Sequence, residues 1–130
     1  MSNHRAMILV AEPEEAVHES IQMVLMEEGY DCHVVTNTSS LLRAIDIHDS
    51  DMLIADISLI YDDVKEILSA MSKYDTQYPP VLVTITYERV RDMLDLMSVG
   101  ISEYLLKPFQ FEDLLDRVQR VLKHQQSLKN

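Results

Sequence analysis

Three charged side chains stand just past apolar runs that read as strands. Asp56 follows Met52-Leu53-Ile54-Ala55, Lys107 follows Tyr104-Leu105-Leu106, and Glu12 opens the acidic stretch Glu12-Pro13-Glu14-Glu15 after the run from Ala6 to Ala11. If those strands are parallel, two carboxylates and an ammonium share one rim of a sheet, the place where open α/β folds bind ligands. A lysine there pairs with carboxylates or other anionic oxygens as a point charge. A carboxylate there can serve as a nucleophile or help to hold a divalent cation.

The elements that would position these residues alternate five times. The first strand, Ala6 to Ala11, is apolar throughout, as a central parallel strand covered on both faces should be. A helix follows from about Glu14 to Glu28, with Val17, Ile21, Val24 and Leu25 as its buried stripe and Gly29 at its C-terminal end. His33-Val34-Val35 is a weak second strand, and Thr38-Ser39-Ser40 offers hydroxyl caps for a short helix carrying Leu41, Leu42 and Ile45. The third strand, Met52 to Asp56, leads to a helix with Val64, Ile67, Leu68 and Met71 on one face. Pro79-Pro80 interrupts the chain before a fourth strand, Val81 to Thr86. The next helix is expected to bury Val90, Met93, Leu94 and Met97 and to stop at Gly100. A short strand through Tyr104-Leu105-Leu106 precedes a last helix with Phe111, Leu114, Leu115, Val118 and Leu122 at helical spacing. Strands alternating with helices predict an α/β fold with helices on both faces of a parallel sheet. Right-handed crossovers make the five-stranded, flavodoxin-like order 2-1-3-4-5 the natural one. The whole of 1–130 reads as one domain, with 123–130 as a frayed tail or linker stub.

Composition narrows the function classes. A hydrophobic fraction of 47% is ordinary for a globular protein. No apolar run approaches the ~20 residues that span a bilayer, and the start lacks a small-residue cleavage site. The one cysteine, Cys32, suits a reducing compartment, so the chain is expected in the cytoplasm. A net charge of −11 repels nucleic acid and anionic membrane, and favours cationic partners or divalent metal. His4, His18, His33, His48 and His124 are scattered without metal-ligand spacing, and the eight methionines read as core filler.

Glu12, Asp56 and the run Tyr104-Leu105-Leu106-Lys107-Pro108-Phe109 together resemble the receiver domain of two-component response regulators, over nearly the whole chain. The resemblance implies that Asp56 accepts a phosphoryl group from a phosphohistidine on a histidine kinase or phosphotransfer protein. It implies that Lys107 pairs with Asp56 and then with the phosphoryl oxygens, aimed inward by a cis Lys107-Pro108 bond. Tyr104 matches the family's switch aromatic. Mg2+ would be held by Asp56, the Ser58 backbone carbonyl and Glu12 through water. Such a protein is not an enzyme in its own right; it signals to a downstream protein partner. The family also suggests a homodimer through the fourth helix, fifth strand and fifth helix.

Four positions depart from the family pattern, two of them at the chemistry. Pro13 stands where receivers carry a second acidic metal ligand, which weakens the Mg2+ site; as a proline it suits the first turn of a helix, followed by Glu14 and Glu15 at the positive end of the dipole. Ile85 stands at the hydroxyl switch position, flanked by Thr84 and Thr86, and a one-residue register slip would bring Thr86 to the site. The loop after Asp56 also lacks the family's proline and glycine, having Ile60 and Val64 instead. Two hypotheses follow: a stand-alone receiver phosphorylated on Asp56, or a phosphorylation-independent pseudo-receiver acting as a protein interaction module. A carboxylate-dependent phosphohydrolase is rejected, because Glu12-Pro13-Glu14 replaces the Asp-x-Asp such enzymes carry after the first strand.

Overall fold

The computed structural model describes residues 5–71 and 80–129, with side chains to residue 123. Five strands alternate with helices: β1 (Met7–Ala11), β2 (Asp31–Val35), β3 (Met52–Asp56), β4 (Val81–Ile85) and β5 (Glu103–Leu106). They form one parallel sheet in the order β2-β1-β3-β4-β5, the expected topology. The three central strands are almost wholly apolar because helices cover both faces: β1 from Ile8, β3 through Ala55 and all of β4, with Thr84 its one polar residue, are buried.

Side-chain alternation along the strands divides the core in two. On one face, Ile8, Val10, Ile54 and Leu82 meet Ile21 and Leu25 of α1 (Glu15–Glu27) and Leu114, Val118 and Val121 of α6 (Phe111–Lys129). On the other, Leu9, Leu53, Val83 and Ile85 meet α2 (Thr38–Ile47), the one-turn α3 (Ile57–Ile60), α4 (Val64–Met71) and α5 (Val90–Ser98). Gly29 and Gly100 close α1 and α5 at φ of 91° and 110°, a backbone that side-chained residues avoid.

Several local expectations are corrected. Asn37, not a hydroxyl of 38–40, caps α2, its side-chain oxygen accepting the Ser40 N–H at 2.8 Å. The Thr38 hydroxyl instead donates to the Leu59 carbonyl at 2.7 Å, tying α2 to the segment after Asp56. That segment is not a loop: without proline or glycine it turns at once into α3 and a 3-10 turn at Tyr61–Asp63. Pro13 precedes the N-cap residue Glu14 rather than occupying the first helical turn. β4 ends at Ile85, so Thr86 lies beyond the strand. On α5 only Met93 and Leu96 are buried, while Val90, Leu94 and Met97 face outward at 39%, 63% and 48% exposure. Apolar spacing alone cannot tell a buried stripe from an exposed one. α6 extends to Lys129, within the segment read as a tail or linker stub, where nothing breaks a helix. Pro79, His4 and Asn130 lie outside the described residues.

The site depends on how firmly β3 is clamped at the centre of the sheet. Leu53 is fully buried there. Leu53→Ala is expected to lower the unfolding free energy by about 3 kcal/mol, read by urea denaturation.

Candidate functional site

The C-terminal ends of β1, β3 and β5 deliver Glu12, Asp56 and Lys107 to one rim. Glu12 continues β1, its N–H donating to the Val35 carbonyl at 3.0 Å. Lys107 continues β5, its N–H donating to the Ile85 carbonyl at 2.8 Å, and the Lys107-Pro108 bond that follows is cis. From there the Lys107 ammonium bridges two carboxylates, donating to Asp56 Oδ1 at 2.7 Å and Glu12 Oε1 at 2.5 Å.

Each carboxylate has a second support. Glu12 Oε2 accepts the N–H of Glu14 at 3.0 Å, so Glu12 satisfies a backbone donor at the head of α1 as well as Lys107. Asp56 Oδ2 accepts the Ser58 N–H at 3.0 Å and the Ser58 hydroxyl, which makes Asp56 the N-cap of α3. The three side chains are enclosed: Glu12 is 2% exposed, Asp56 12% and Lys107 16%. Burial works to raise the Asp56 pKa, but the Lys107 ammonium and the Ser58 donors outweigh it and hold the carboxyl below its usual range. Burial works to lower the Lys107 pKa, and its bonds to Asp56 and Glu12 raise it above that of a free lysine.

Asp56, Glu12, Lys107 and Ser58 are therefore brought together. Thr86 is not: it is exposed beyond the end of β4. There it helps to hold the Glu88 carboxyl below its usual range, after Glu88's own backbone N–H. Ile85 is fully buried on the α3–α5 side of the sheet, so no hydroxyl occupies that position. Thr84 is the buried threonine, paired with Asp56 in the β3–β4 ladder. Tyr104 is 37% exposed on β5, beside a groove lined also by Leu106, Pro108, Phe109 and Arg117. The Arg117 guanidinium donates to the Tyr104 carbonyl. The Ser58 side chain went unnoticed in the sequence, although Asp-x-Ser at a strand end is a capping pattern.

For a divalent cation the rim offers the two carboxylates of Asp56 and Glu12. Among the described residues no three or more His, Cys, Asp or Glu side chains cluster as metal ligands. That donor set meets the lower limit for magnesium, which is commonly held by one or two carboxylates with waters. Pro13 adds no ligand.

A family model for the response regulator receiver domain matches residues 8–119. The chain belongs to the response regulator receiver family. It is 32% identical over 120 residues to the transcriptional regulatory protein PcoR of Escherichia coli, covering 92% of this chain and 53% of that protein. It is 28% identical over 123 residues to the transcriptional regulatory protein PmrA of Pectobacterium parmentieri, covering 95% and 55%. The receiver thus spans about half the length of these relatives. In fold it is similar to a receiver domain from Clostridium thermocellum, with a TM-score of 0.82 at 22% identity and coverage of 95% and 98%. A CheY-like receiver from Methanospirillum hungatei gives 0.80 at 21%, with the same coverage.

The enclosure of the triad sets the effect of removing its cation. Lys107→Ala leaves two carboxylates facing each other with little water, so the loss at pH 7 should be about 3 kcal/mol, above the value for an exposed ion pair. The folded Asp56 pKa is depressed, so its stabilisation is present above the ordinary carboxyl pKa and is lost as pH falls through the lower, folded value. The gap between wild type and variant should accordingly narrow as pH is lowered below ~4, measured by urea denaturation across pH.

Proposed function

We propose that Asp56 accepts a phosphoryl group from a phosphohistidine of a kinase or phosphotransfer protein, and that a partner reads the resulting change on the α5–β5–α6 face. The observation that carries this reading is the Lys107 ammonium joining Asp56 Oδ1, 51 residues away in sequence, and Glu12 Oε1, 95 residues away. It keeps the acceptor carboxylate ionised, as a nucleophile must be. An Asp56 oxygen forms the new bond to phosphorus while the histidine nitrogen leaves. Lys107 then turns from a carboxylate partner into a partner for the phosphoryl oxygens. Ser58 steadies the second Asp56 oxygen, so the side chain meets the phosphoryl group in one orientation.

Mg2+ in this receiver would be held by Asp56, the Ser58 carbonyl and Glu12 through water. When bound it would neutralise charge on the transferring group. The partner surface is supported by exposed apolar residues on neighbouring elements: Leu94 and Met97 on α5, Tyr104 and Leu106 on β5, and Phe111 on α6. A homodimer would use the same face. The receiver acts as an acceptor rather than an enzyme. A net charge of −11 disfavours DNA or anionic membrane as a direct partner of these residues. No helix among the described residues is long and apolar enough to cross a membrane, and with the single Cys32 this supports a cytoplasmic site.

A second reading, a phosphorylation-independent interaction module, draws on Pro13 and on the buried Ile85. One measurement separates the two. With acetyl phosphate and magnesium, the intact mass of the wild type should gain one phosphoryl group and that of Asp56→Asn none; an unmodified wild type favours the module. Pro13→Asp restores a carboxylate beside Glu12 and should tighten magnesium binding several-fold by calorimetry. Unchanged affinity would remove Pro13 as the limit on the site.

A further inference from the structure

α5 is thinly anchored. It buries Met93 and Leu96, while Val90, Leu94 and Met97 point away from the sheet. Elements with few buried side chains sit at the low end of local stability and move most easily. The path a hydroxyl at the end of β4 would provide toward α5 is absent, because Ile85 is an apolar side chain packed in the core.

Another connection crosses the same gap. Tyr61, in the 3-10 turn five residues after Asp56, donates its hydroxyl to Asp95 Oδ2 on α5. Arg89, the N-cap residue of α5, lays its guanidinium 5.5 Å from the centre of the Tyr61 ring. The same guanidinium pairs with Asp92 in the first turn of α5 at 2.5 Å. Attraction between a guanidinium and an aromatic face adds to the hydroxyl–carboxylate bond. The Asp95 bond, followed by desolvation and the charges of Asp95 and Asp92, pushes the Tyr61 pKa up to about 12, as expected of a phenol donating to a carboxylate. At its other end the segment is fixed to Asp56 itself through Ser58, and to α2 through Thr38 and Leu59. One continuous run, Asp56 to Tyr61, therefore joins the acceptor carboxylate to α5.

We propose that Tyr61, Asp95 and Arg89 form a clasp that holds α5 against the segment following Asp56, and that a change at Asp56 reaches α5 through it. Its second half rests on Asp56 being the phosphoryl acceptor; its first half does not. Rearrangement of Ser58 around an enlarged Asp56 side chain would shift the turn carrying Tyr61, and the clasp would shift or free α5 with it. The outward residues Val90, Leu94 and Met97 would then change position without any hydroxyl at position 85.

Hydrogen–deuterium exchange of the full chain tests both halves. Without phosphodonor, Tyr61→Phe should speed exchange of the Val90–Ser98 amides roughly two- to five-fold, the range for an exposed polar pair. Asp95→Ala should do the same, and the double variant should be no faster than either single one, because both remove one bond. Unchanged exchange in β3 would report an intact fold. Wild-type exchange on α5 in Tyr61→Phe, or additive effects in the double variant, would overturn the clasp. With acetyl phosphate and magnesium, phosphoryl mass is measured on the same samples. At equal phosphoryl content, the wild type should show a change on α5 that Tyr61→Phe largely lacks; equal responses would overturn transmission through Tyr61. A wild type that takes up no phosphoryl group defeats the acceptor reading and its transmission arm together, and the donor-free arm still decides the clasp.

Discussion

A single ammonium group organises the rim of this receiver. Glu12 and Asp56 come from different strands, and both carboxylates are almost closed to water. Side by side without a cation, they would repel each other at short range in a medium that screens poorly. Lys107 removes that conflict where the ends of β1, β3 and β5 meet. Its own reach is set by backbone: the Lys107 N–H bonds the Ile85 carbonyl, which fixes where the side chain starts. Glu12 adds a second duty by accepting the Glu14 N–H, so the first turn of α1 is positioned by the same charge cluster. The start of α1 and the ionisation of Asp56 thus meet in one triad.

Much of the fold was legible in the sequence because its signals are local. Central strands covered on both faces must be apolar throughout, and β1, β3 and β4 could be placed from that alone. The crossover rule then left one natural order for the sheet. The rim was legible for a related reason: a charged residue directly after a buried strand can only emerge at its end. What escaped detection was set by contacts distant in sequence. Whether Leu94 and Met97 faced the sheet or the solvent depended on how α5 is set down, and periodicity carries no information about that. Asn37 takes the cap expected of the neighbouring hydroxyls, which frees Thr38 for the Leu59 carbonyl.

The candidate site was legible in its charges and not in its hydroxyls. Glu12, Asp56 and Lys107 converge as their positions after strands required. Thr86 was reached only by a shift of register, and the β3–β4 ladder, which sets Asp56 against Thr84, does not shift. The hydroxyl that does touch Asp56 comes from Ser58, two residues along the same chain. The Tyr61–Asp95 bond spans 34 residues and joins two side chains that no local pattern would pair.

The Arg117 guanidinium on the Tyr104 carbonyl has a meaning beyond the groove it borders. β5 is the last strand of the sheet, with neighbours on one side only. Such a border leaves backbone donors and acceptors able to template the strand of another molecule, and apolar side chains like Tyr104 and Leu106 make that encounter more favourable. By engaging a carbonyl of that strand with a cation from α6, the molecule leaves an incoming chain one acceptor fewer and a charge to displace. The surface available for recognition is thereby steered toward side-chain contacts, which can be made and released, and away from a growing ladder of backbone bonds, which would trap the protein in aggregates.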